Sequence, residues 1–335
     1  MATIHDIAKL SGYSIGTVSR VINNHPDVSQ KARKIIQEVI ERENYQPNSN
    51  AKNMKLKSSN IVAILVKGYA NMFFAELVEQ LQHILDGSGQ EVSIHYLDEN
   101  ADEVEAAYTL FLEKKPKGII FLGGGLEKFD TVFANIDIPC VLLTNTAKDL
   151  RNPQISSFST DNELAAASAI QYLVDQNHKH IGIIGGNHES RITKHRLLGA
   201  VSQMKKCNIT FQDDMYEPSR FSLDGGYTAA SHLLKRHPEI TAIFALGDTI
   251  ALGALRSLCD LGYEVPKDIS LIGFDGIELG QYCIPRLSTI HQDTEQMARK
   301  AVEDLLLRIN FSRKGVHEVV PFQIINGATV TFMKK

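Results

Sequence analysis

The chain has 335 residues, of which 43% are hydrophobic and 22% charged, a balance typical of a soluble globular protein with two or three domains. No apolar run reaches the roughly 18 residues that a membrane-spanning helix needs, and the N-terminus carries no apolar signal segment. We therefore expect a cytoplasmic protein with no membrane partner. The four cysteines are scattered without metal-ligand spacing, so we expect neither a disulfide framework nor a bound metal or other cofactor.

The net charge of −4 is unevenly distributed along the chain. Residues 1–57 contain nine Lys/Arg and five Asp/Glu, whereas the remainder contains 26 Lys/Arg and 34 Asp/Glu. The first segment is therefore basic and the rest acidic, which favours a polyanionic partner for the first segment alone.

Residues 1–46 show the pattern of three short helices. Thr3 is a predicted N-cap, and Gly12 ends the first helix. Ser14 caps a second helix that runs to about Ile22, and Ser29 caps a third. Three helices within about 45 residues, the first two joined by a tight glycine turn, predict a helix-turn-helix unit.

The second helix has the composition of a DNA-reading helix. Hydroxyl side chains that can bond phosphates occur at Ser14, Thr17 and Ser19. Ile15, Gly16 and Arg20 are predicted to face the groove, where Arg20 can hold a guanine through O6 and N7, worth about 1–3 kcal/mol of discrimination. Ile15 can only touch a thymine methyl group. The alternative interpretation is an ordinary capped helix in a small bundle.

Residues 47–59 are polar and basic, which is typical of a linker, although they can form a short helix. From Ile61 onward, short apolar strands alternate with helices in two successive series. The predicted strands are 61–66, 91–97, 118–122, 140–143, 181–184, 242–246, 269–274, 319–324 and 329–332. This α/β pattern predicts two similar lobes, each with a parallel sheet covered on both faces. Ligands bind beyond the carboxyl ends of such strands, so the cleft between the lobes is the expected pocket.

Ordered motifs along essentially the whole chain resemble the LacI family of bacterial transcription repressors. They are residues 3–8, 12–14, 17–23, 45–48, 161–162, 178–182, 196–199, 247–248, 265–266, 268–275 and 285–290. The resemblance implies a helix-turn-helix domain at 1–46, a hinge helix or linker at 47–59, and an effector-binding and dimerisation domain at 60–335. That domain is expected to resemble a periplasmic binding protein, with one lobe at about 60–158 and 288–320 and the other at about 161–286 and 322–335.

The resemblance also implies a homodimer on a pseudo-palindromic operator. The further DNA contacts that it implies are at Thr3, Asn23, Ala51, Met54 and Lys55. A leucine of the family's hinge helix wedges between base pairs in the minor groove, and this sequence has Met54 there. Methionine is a softer wedge, and the alternative for Met54 is a linker residue that packs on the dimer partner.

For the effector, the resemblance implies a pocket built from carboxylates, an arginine and aromatic rings. The candidate residues are Phe73, Phe74, Asp161, Ser190, Arg196, Phe221, Asp248 and Asp275. Charged groups can hydrogen-bond paired hydroxyls while an aromatic face packs on the C–H side of a sugar ring. Purine-sensing relatives carry arginine and threonine where this sequence has Ser190 and Ile192, so we expect a sugar or sugar derivative instead.

The expected function is therefore a transcription repressor whose DNA affinity a small-molecule effector controls by closing the cleft. An enzyme is the first alternative, but the glycine runs at 123–125 and 182–186 lack the spacing of a phosphate-binding loop. A transport-type binding protein is the second, and the basic N-terminal segment argues against it. Nothing in the sequence requires a phosphocarrier protein as coregulator, so we expect none. No leucine heptad follows the last apolar segment before Lys335, which favours a dimer over a tetramer.

Overall fold

A computed structural model describes residues 4–22, 28–43, 60–134 and 136–334. The chain divides into two compact units, Met1–Ser58 and Ser59–Lys335.

The first unit contains three helices within its described residues. They are α1 (Ile4–Ser11), α2 (Ile15–Ile22) and α3 (Gln30–Arg42). One side chain from each helix, Ile7, Val18 and Ile36, is completely buried, and together they centre a small core. Gly12 has φ +73°, a left-handed conformation that lets the chain turn sharply between α1 and α2.

Both serine caps predicted in the described part of this unit are confirmed. The backbone N–H of Thr17 donates to Ser14 Oγ at 3.2 Å, and that of Ala32 donates to Ser29 Oγ at 3.3 Å. Each bond satisfies a donor that the first turn of a helix otherwise leaves unpaired, typically worth about 1 kcal/mol. The third predicted cap, Thr3, lies outside the described residues.

The second unit contains two six-stranded sheets. In chain order the strands are β1 (Ile61–Lys67), β2 (Glu91–Leu97), β3 (Gly118–Leu122), β4 (Cys140–Leu143), β5 (Ile155–Ser159), β6 (Ile181–Ile184), β7 (Tyr216–Glu217), β8 (Ala242–Ala245), β9 (Ser270–Asp275), β10 (Ser288–Gln292), β11 (His317–Val319) and β12 (Phe322–Ile325). The first sheet has the order β11-β5-β4-β3-β1-β2 and is parallel throughout. The second has the order β12-β10-β9-β8-β6-β7, in which only β12 runs antiparallel.

Helices cover both faces of each sheet, which confirms the predicted α/β architecture. In chain order they are α4 (Met72–Gly87), α5 (Glu103–Lys114), α6 (Phe129–Val132), α7 (Asn162–Asp175), α8 (Arg191–Lys206), α9 (Leu223–Arg236), α10 (Asp248–Asp260) and α11 (Thr294–Asn310). In the first lobe, α4 and α11 pack on one face and α5 on the other. Central strands such as β1 are apolar along their length because neither face meets water. Within the described residues, no helix has the length and apolar character needed to cross a membrane.

The chain passes between the lobes three times, and one of these crossings corrects a sequence-based boundary. The crossings follow β5, β10 and β11. Residues 288–292 were predicted in the first lobe, but β10 belongs to the second sheet, where Thr289 lies opposite Gly273 of β9 and Ile325 of β12. The five residues of β10 are Ser-Thr-Ile-His-Gln, so no apolar pattern marks them as a strand or indicates which sheet they join.

Three further strand predictions also differ from the structure. The predicted strand 319–324 is two strands in different sheets, β11 and β12. Residues 329–332 form no strand, because side-chain hydroxyls replace part of the ladder there: Thr331 N–H donates to Ser270 Oγ at 3.1 Å. The strand β5 was not predicted, because its serines are polar although they are buried; Ser157 Oγ, for example, accepts from Ala147 N–H at 3.0 Å.

Candidate functional site

A cavity of about 450 Å³ lies between the two lobes, beyond the carboxyl ends of strands from both sheets. Residues at or just beyond the ends of β1, β2, β3 and β4 form its wall on the first lobe, and those at or beyond the ends of β6, β7 and β9 form its wall on the second. Six of the eight predicted effector residues line it: Phe73, Phe74, Ser190, Arg196, Phe221 and Asp275. Its volume is within the usual range for small-molecule sites.

Arg196 is buried and held in place from several directions. Its Nε donates to Asn162 Oδ1 at 2.9 Å, and Nη1 donates to the carbonyl oxygen of Leu246 at 2.5 Å. Nη2 lies 3.4 Å from Asp275 Oδ1, and the guanidinium stacks 3.6 Å over the ring of Phe274. The sequence predicts Arg196 as a ligand contact, and in the structure protein partners fix its orientation on the cavity wall.

Asp275 combines an unusual backbone with an incompletely bonded carboxylate. Its φ of +114° is rarely adopted by side-chain-bearing residues, and such strain concentrates at functional sites. Oδ1 accepts from Gln292 Nε2 at 2.8 Å, whereas Oδ2 is buried with no hydrogen-bond partner among the described residues. Burial raises the pKa of Asp275 to about 6, although the nearby Arg196 acts in the opposite direction. A buried acceptor of this kind suits a ligand hydroxyl.

Asp248 was predicted as a ligand contact, but the structure does not place it on the cavity wall. It is completely buried, and its Oδ1 accepts from Thr289 Oγ1 at 2.6 Å. Oδ2 accepts from the backbone N–H groups of Gly276 and Ile277 at 2.7 and 2.9 Å. Burial, followed by the charge of Asp275, raises the pKa of Asp248 well above its usual value. Asp248 therefore supports the turn that carries Asp275 rather than facing a ligand.

Asp161 is also absent from the cavity wall. Its side chain is exposed at the start of α7, where Oδ1 accepts from Leu164 N–H at 3.0 Å. This is the capping role that short acidic side chains commonly have at helix N-termini. Ser190 combines both roles, since it caps α8 and lines the cavity.

The three phenylalanines supply the apolar part of the wall. Phe73 and Phe74 begin α4 on the first lobe with ring centroids 6.1 Å apart. A Cβ on Gly123 would lie 3.0 Å from the ring of Phe74, so glycine there lets the ring approach the backbone closely. Phe221 projects from the second lobe, which places aromatic surface on both sides of the cavity.

Sequence reasoning missed several charged residues of the wall. Lys67, at the end of β1, donates to Glu103 Oε2 at 2.7 Å. Glu103 is itself buried, and its Oε1 accepts from the backbone N–H groups of Gly125 and Leu126. Lys67 could have been found from its position, because it ends a strand at the edge where ligands bind.

Ion pairs also bridge the two lobes beside the cavity. Arg220 of the second lobe lies 2.5 Å from Asp98 Oδ2 and 2.8 Å from Glu99 Oε1 of the first. Arg191, at the start of α8, pairs with Asp149 of the first lobe. The structure thus holds the lobes together across the cleft by contacts at its rim, and no local sequence signal predicts pairs so distant in the chain.

In the first unit, α2 exposes the side chains predicted to read DNA. Ser14, Gly16 and Arg20 are exposed, Ile15 is 41% exposed, and Val18 is buried. Thr17 and Ser19 are partly exposed on the same helix. The other predicted DNA contacts, Thr3, Asn23, Ala51, Met54 and Lys55, lie outside the described residues.

Comparison with known proteins gives matches in both units. Residues 3–48 match the family of bacterial regulatory proteins named after LacI, and residues 170–330 match a periplasmic binding protein-like domain. The transcriptional regulator MalR of Clostridium butyricum is 34% identical over 325 residues, which cover 96% of this chain and 97% of that protein. The ribose operon repressor of Haemophilus influenzae is 30% identical and covers 92% of both chains.

Solved structures show the same fold over nearly the whole chain. A complex of the transcriptional regulator CelR with cellobiose has a TM-score of 0.72 at 24% identity, covering 98% of this chain and all of that one. The lac repressor dimer bound to operator and an anti-inducer has a TM-score of 0.70 at 24% identity, covering 98% and 99% of the two chains. The fold and the matched regions define a DNA-binding transcription regulator, not an enzyme. The chain belongs to the LacI family.

Proposed function

We propose that this protein is a sequence-specific repressor that binds a pseudo-palindromic operator as a homodimer and is controlled by a neutral sugar or sugar derivative bound in the cleft. The observation that carries the effector half is the combination of the buried, unpartnered Asp275 Oδ2 with aromatic rings on both walls. A sugar presents hydroxyl donors for such an oxygen and an apolar C–H face for such rings.

The charges around the cavity favour a neutral ligand over a phosphorylated one. Each cation of the wall already has a protein carboxylate: Lys67 pairs with Glu103, Arg191 with Asp149, Arg196 with Asp275, and Lys194 with Glu189 at 3.8 Å. A phosphate needs positive charge that is not already neutralised, since its desolvation is otherwise uncompensated. The cellobiose complex of CelR and the ribose complex of a LacI-type regulator from Enterococcus faecium support the same class of ligand.

The proposed dimer is supported by apolar side chains that the second lobe leaves exposed. Tyr282 is 73% exposed, Ile284 93% and Leu279 43%, all within six residues of chain. An apolar surface of this kind typically marks a protein interface. A second copy of the chain is its proposed partner, in keeping with the dimeric lac repressor structure that shares this fold.

We propose that the effector controls DNA affinity by changing the arrangement of the two lobes. Three chain crossings connect them, and the rim pairs of Arg220 and Arg191 hold them closed. A ligand that binds more tightly to one lobe arrangement than to the other shifts that equilibrium and moves the end of the first lobe from which the linker departs.

Selection from a random DNA pool tests the DNA half. The full chain is expected to enrich a palindrome with strongly salt-dependent affinity, whereas the full-length Arg20→Ala variant loses the preference at one position of each half-site. Failure of the parent chain to enrich any sequence, with and without candidate ligands, would overturn the proposed function.

A ligand screen by thermal shift tests the effector half. Neutral mono- and disaccharides, their phosphates and nucleobases are compared on the parent chain and on Asp275→Asn, which keeps the side-chain shape. The proposal expects stabilisation by a neutral sugar that the variant loses, and altered affinity of the parent for the selected palindrome. Stabilisation by sugar phosphates alone would contradict the argument from paired charges.

A further inference from the structure

One end of the first lobe is marked by the point where the linker enters it. Because β1 to β5 are parallel, all of them begin at this end, and α4, α5 and α11 all finish there. We call this surface the linker-side edge and define it by Asn60 and the segments 88–90, 113–117 and 311–316.

Asn60 ties the root of the linker to this edge. Its carbonyl oxygen accepts from Glu91 N–H at 2.9 Å, and its Nδ2 donates to the carbonyl oxygen of Gly89 at 2.7 Å. Lys117 Nζ donates to Asn60 Oδ1 at 2.8 Å across 57 residues of sequence. A lysine ammonium group therefore lies directly at the place where the chain arrives from the DNA-binding unit.

Further cations are exposed along the same edge. They are Lys114 and Lys115 at the end of α5, and Arg313 and Lys314 after α11, with Glu113 as the one carboxylate within the segments that define the edge. The lysines lie beside the start of β3, and the pair after α11 lies beside the start of β5. These two strands are two positions apart, which is about 10 Å across the sheet. The loop that carries Arg313 is fixed there, because Gly315 N–H donates to the carbonyl oxygen of Pro153 at 2.8 Å.

The charge of this edge contrasts with its surroundings. Residues 58–335 contain 26 Lys/Arg against 34 Asp/Glu, and the cleft end of the same lobe carries Asp98, Glu99 and Asp102. Nearby cations of α11 and its surroundings are neutralised: Lys300 pairs with Glu318 and Arg308 with Asp304. Arg313 and Lys314 form no salt bridge with any carboxylate in the part of the chain that the structure describes.

We propose that the linker-side edge binds phosphates of the double-stranded DNA that flanks the operator. The sequence of the linker continues the same positive charge, with lysines at 52, 55 and 57 leading to Asn60. Phosphate contacts of this kind carry no sequence information but add affinity and fix the protein on the duplex. In this proposal the second unit contributes directly to DNA binding. The proposal rests on the proposed function, and it assigns DNA contacts outside the helix-turn-helix unit.

The competing explanation is local: lysines near helix C-termini also stabilise the negative end of the helix dipole. The second lobe offers a matched control for it. Lys205 and Lys206 end α8 in the same way and are exposed. They precede strands that start at the far end of the second lobe, away from the cleft and from the linker.

The test measures affinity for two duplexes that carry the palindrome selected by the parent chain. One ends at the half-sites, and the other has about one and a half helical turns of random sequence on each side. Fluorescence anisotropy across a range of KCl concentrations gives the slope of log affinity against log salt. The full-length Arg313→Gln/Lys314→Gln variant is compared with the parent and with Lys205→Gln/Lys206→Gln.

On the long duplex, the edge variant is expected to lose about two to four from the salt slope, roughly 0.9 for each phosphate contact removed, because each protomer of the proposed dimer carries both substitutions. On the short duplex it is expected to match the parent, and the control variant is expected to match the parent on both. An unchanged slope on the long duplex, or an equal loss on the short one, overturns this inference. A parent chain that binds neither duplex overturns the proposed function and this inference together.

Discussion

Replacing Asp275 with asparagine is expected to make the protein more stable at neutral pH while removing effector binding. The two side chains have the same shape. The amide oxygen of asparagine can still accept the hydrogen bond from Gln292 Nε2, which is 2.8 Å long in the parent chain. The substitution therefore removes the charge, keeps the side-chain volume and puts an amide Nδ2 in place of Oδ2. Arg196 loses its carboxylate neighbour but keeps Asn162 Oδ1 and the carbonyl oxygen of Leu246 as acceptors.

The direction of this change in stability follows from the pKa of Asp275, which burial raises from 3.8 to about 6. A raised carboxyl pKa means that the folded state holds the proton more tightly than the unfolded state. Ionised Asp275 therefore costs stability, and this cost is absent below pH 3.8 and complete above pH 6. The difference between 3.8 and 6 corresponds to about 3 kcal/mol. Asparagine removes that cost at pH 7.5, whereas at pH 4.5 the gain falls to about 1 kcal/mol.

Thermal unfolding of parent and variant, followed by calorimetry at pH 7.5 and pH 4.5, measures both values. Asp161→Asn is the matched control, because Asp161 is an exposed carboxylate whose capping role asparagine can take over with little change in stability at either pH. A variant that is less stable than the parent at pH 7.5 would refute the reasoning, since the attraction between Arg196 and Asp275 would then outweigh the cost of burial. A gain that does not shrink at pH 4.5 would equally contradict it.

Two further predictions concern helix packing and the rim of the cleft. Gly253→Ala is expected to destabilise the second unit by about 1–3 kcal/mol in thermal unfolding, because the new Cβ would lie 1.9 Å from the carbonyl oxygen of Leu223. Gly87→Ala is the control, because its new Cβ would have no atom within 4 Å, so stability is expected to stay unchanged or rise slightly. Equal effects of the two substitutions would contradict the argument. Arg220→Gln removes an exposed pair of bonds between the lobes, so it is expected to weaken effector affinity by about two- to threefold at low salt and by less at high salt, as titration calorimetry can show. A loss that is independent of salt would point to a structural role for Arg220 instead.

The candidate cavity shows where sequence reasoning reaches its limit. Asp248 lies three residues after β8 and Asp275 is the last residue of β9, so both resemble ligand contacts by position. Only the packing of the second lobe decides that Asp248 turns to Thr289 and the backbone, while Asp275 keeps an oxygen without a partner. The ion pairs of Arg220 and Arg191 at the rim could not be predicted from the sequence either, because their partners lie more than 40 residues away in the chain.

What the sequence determined by itself is local. Helix starts such as those capped by Ser14 and Ser29, and strands such as β1 and β3, follow from side chains within a few residues of one another, since capping bonds and apolar periodicity act over that range. The tertiary structure alone decided which sheet β10 joins and which carboxylate faces the cavity. These choices depend on contacts between segments that are far apart in the chain, and their free energies exist only once the lobes have folded.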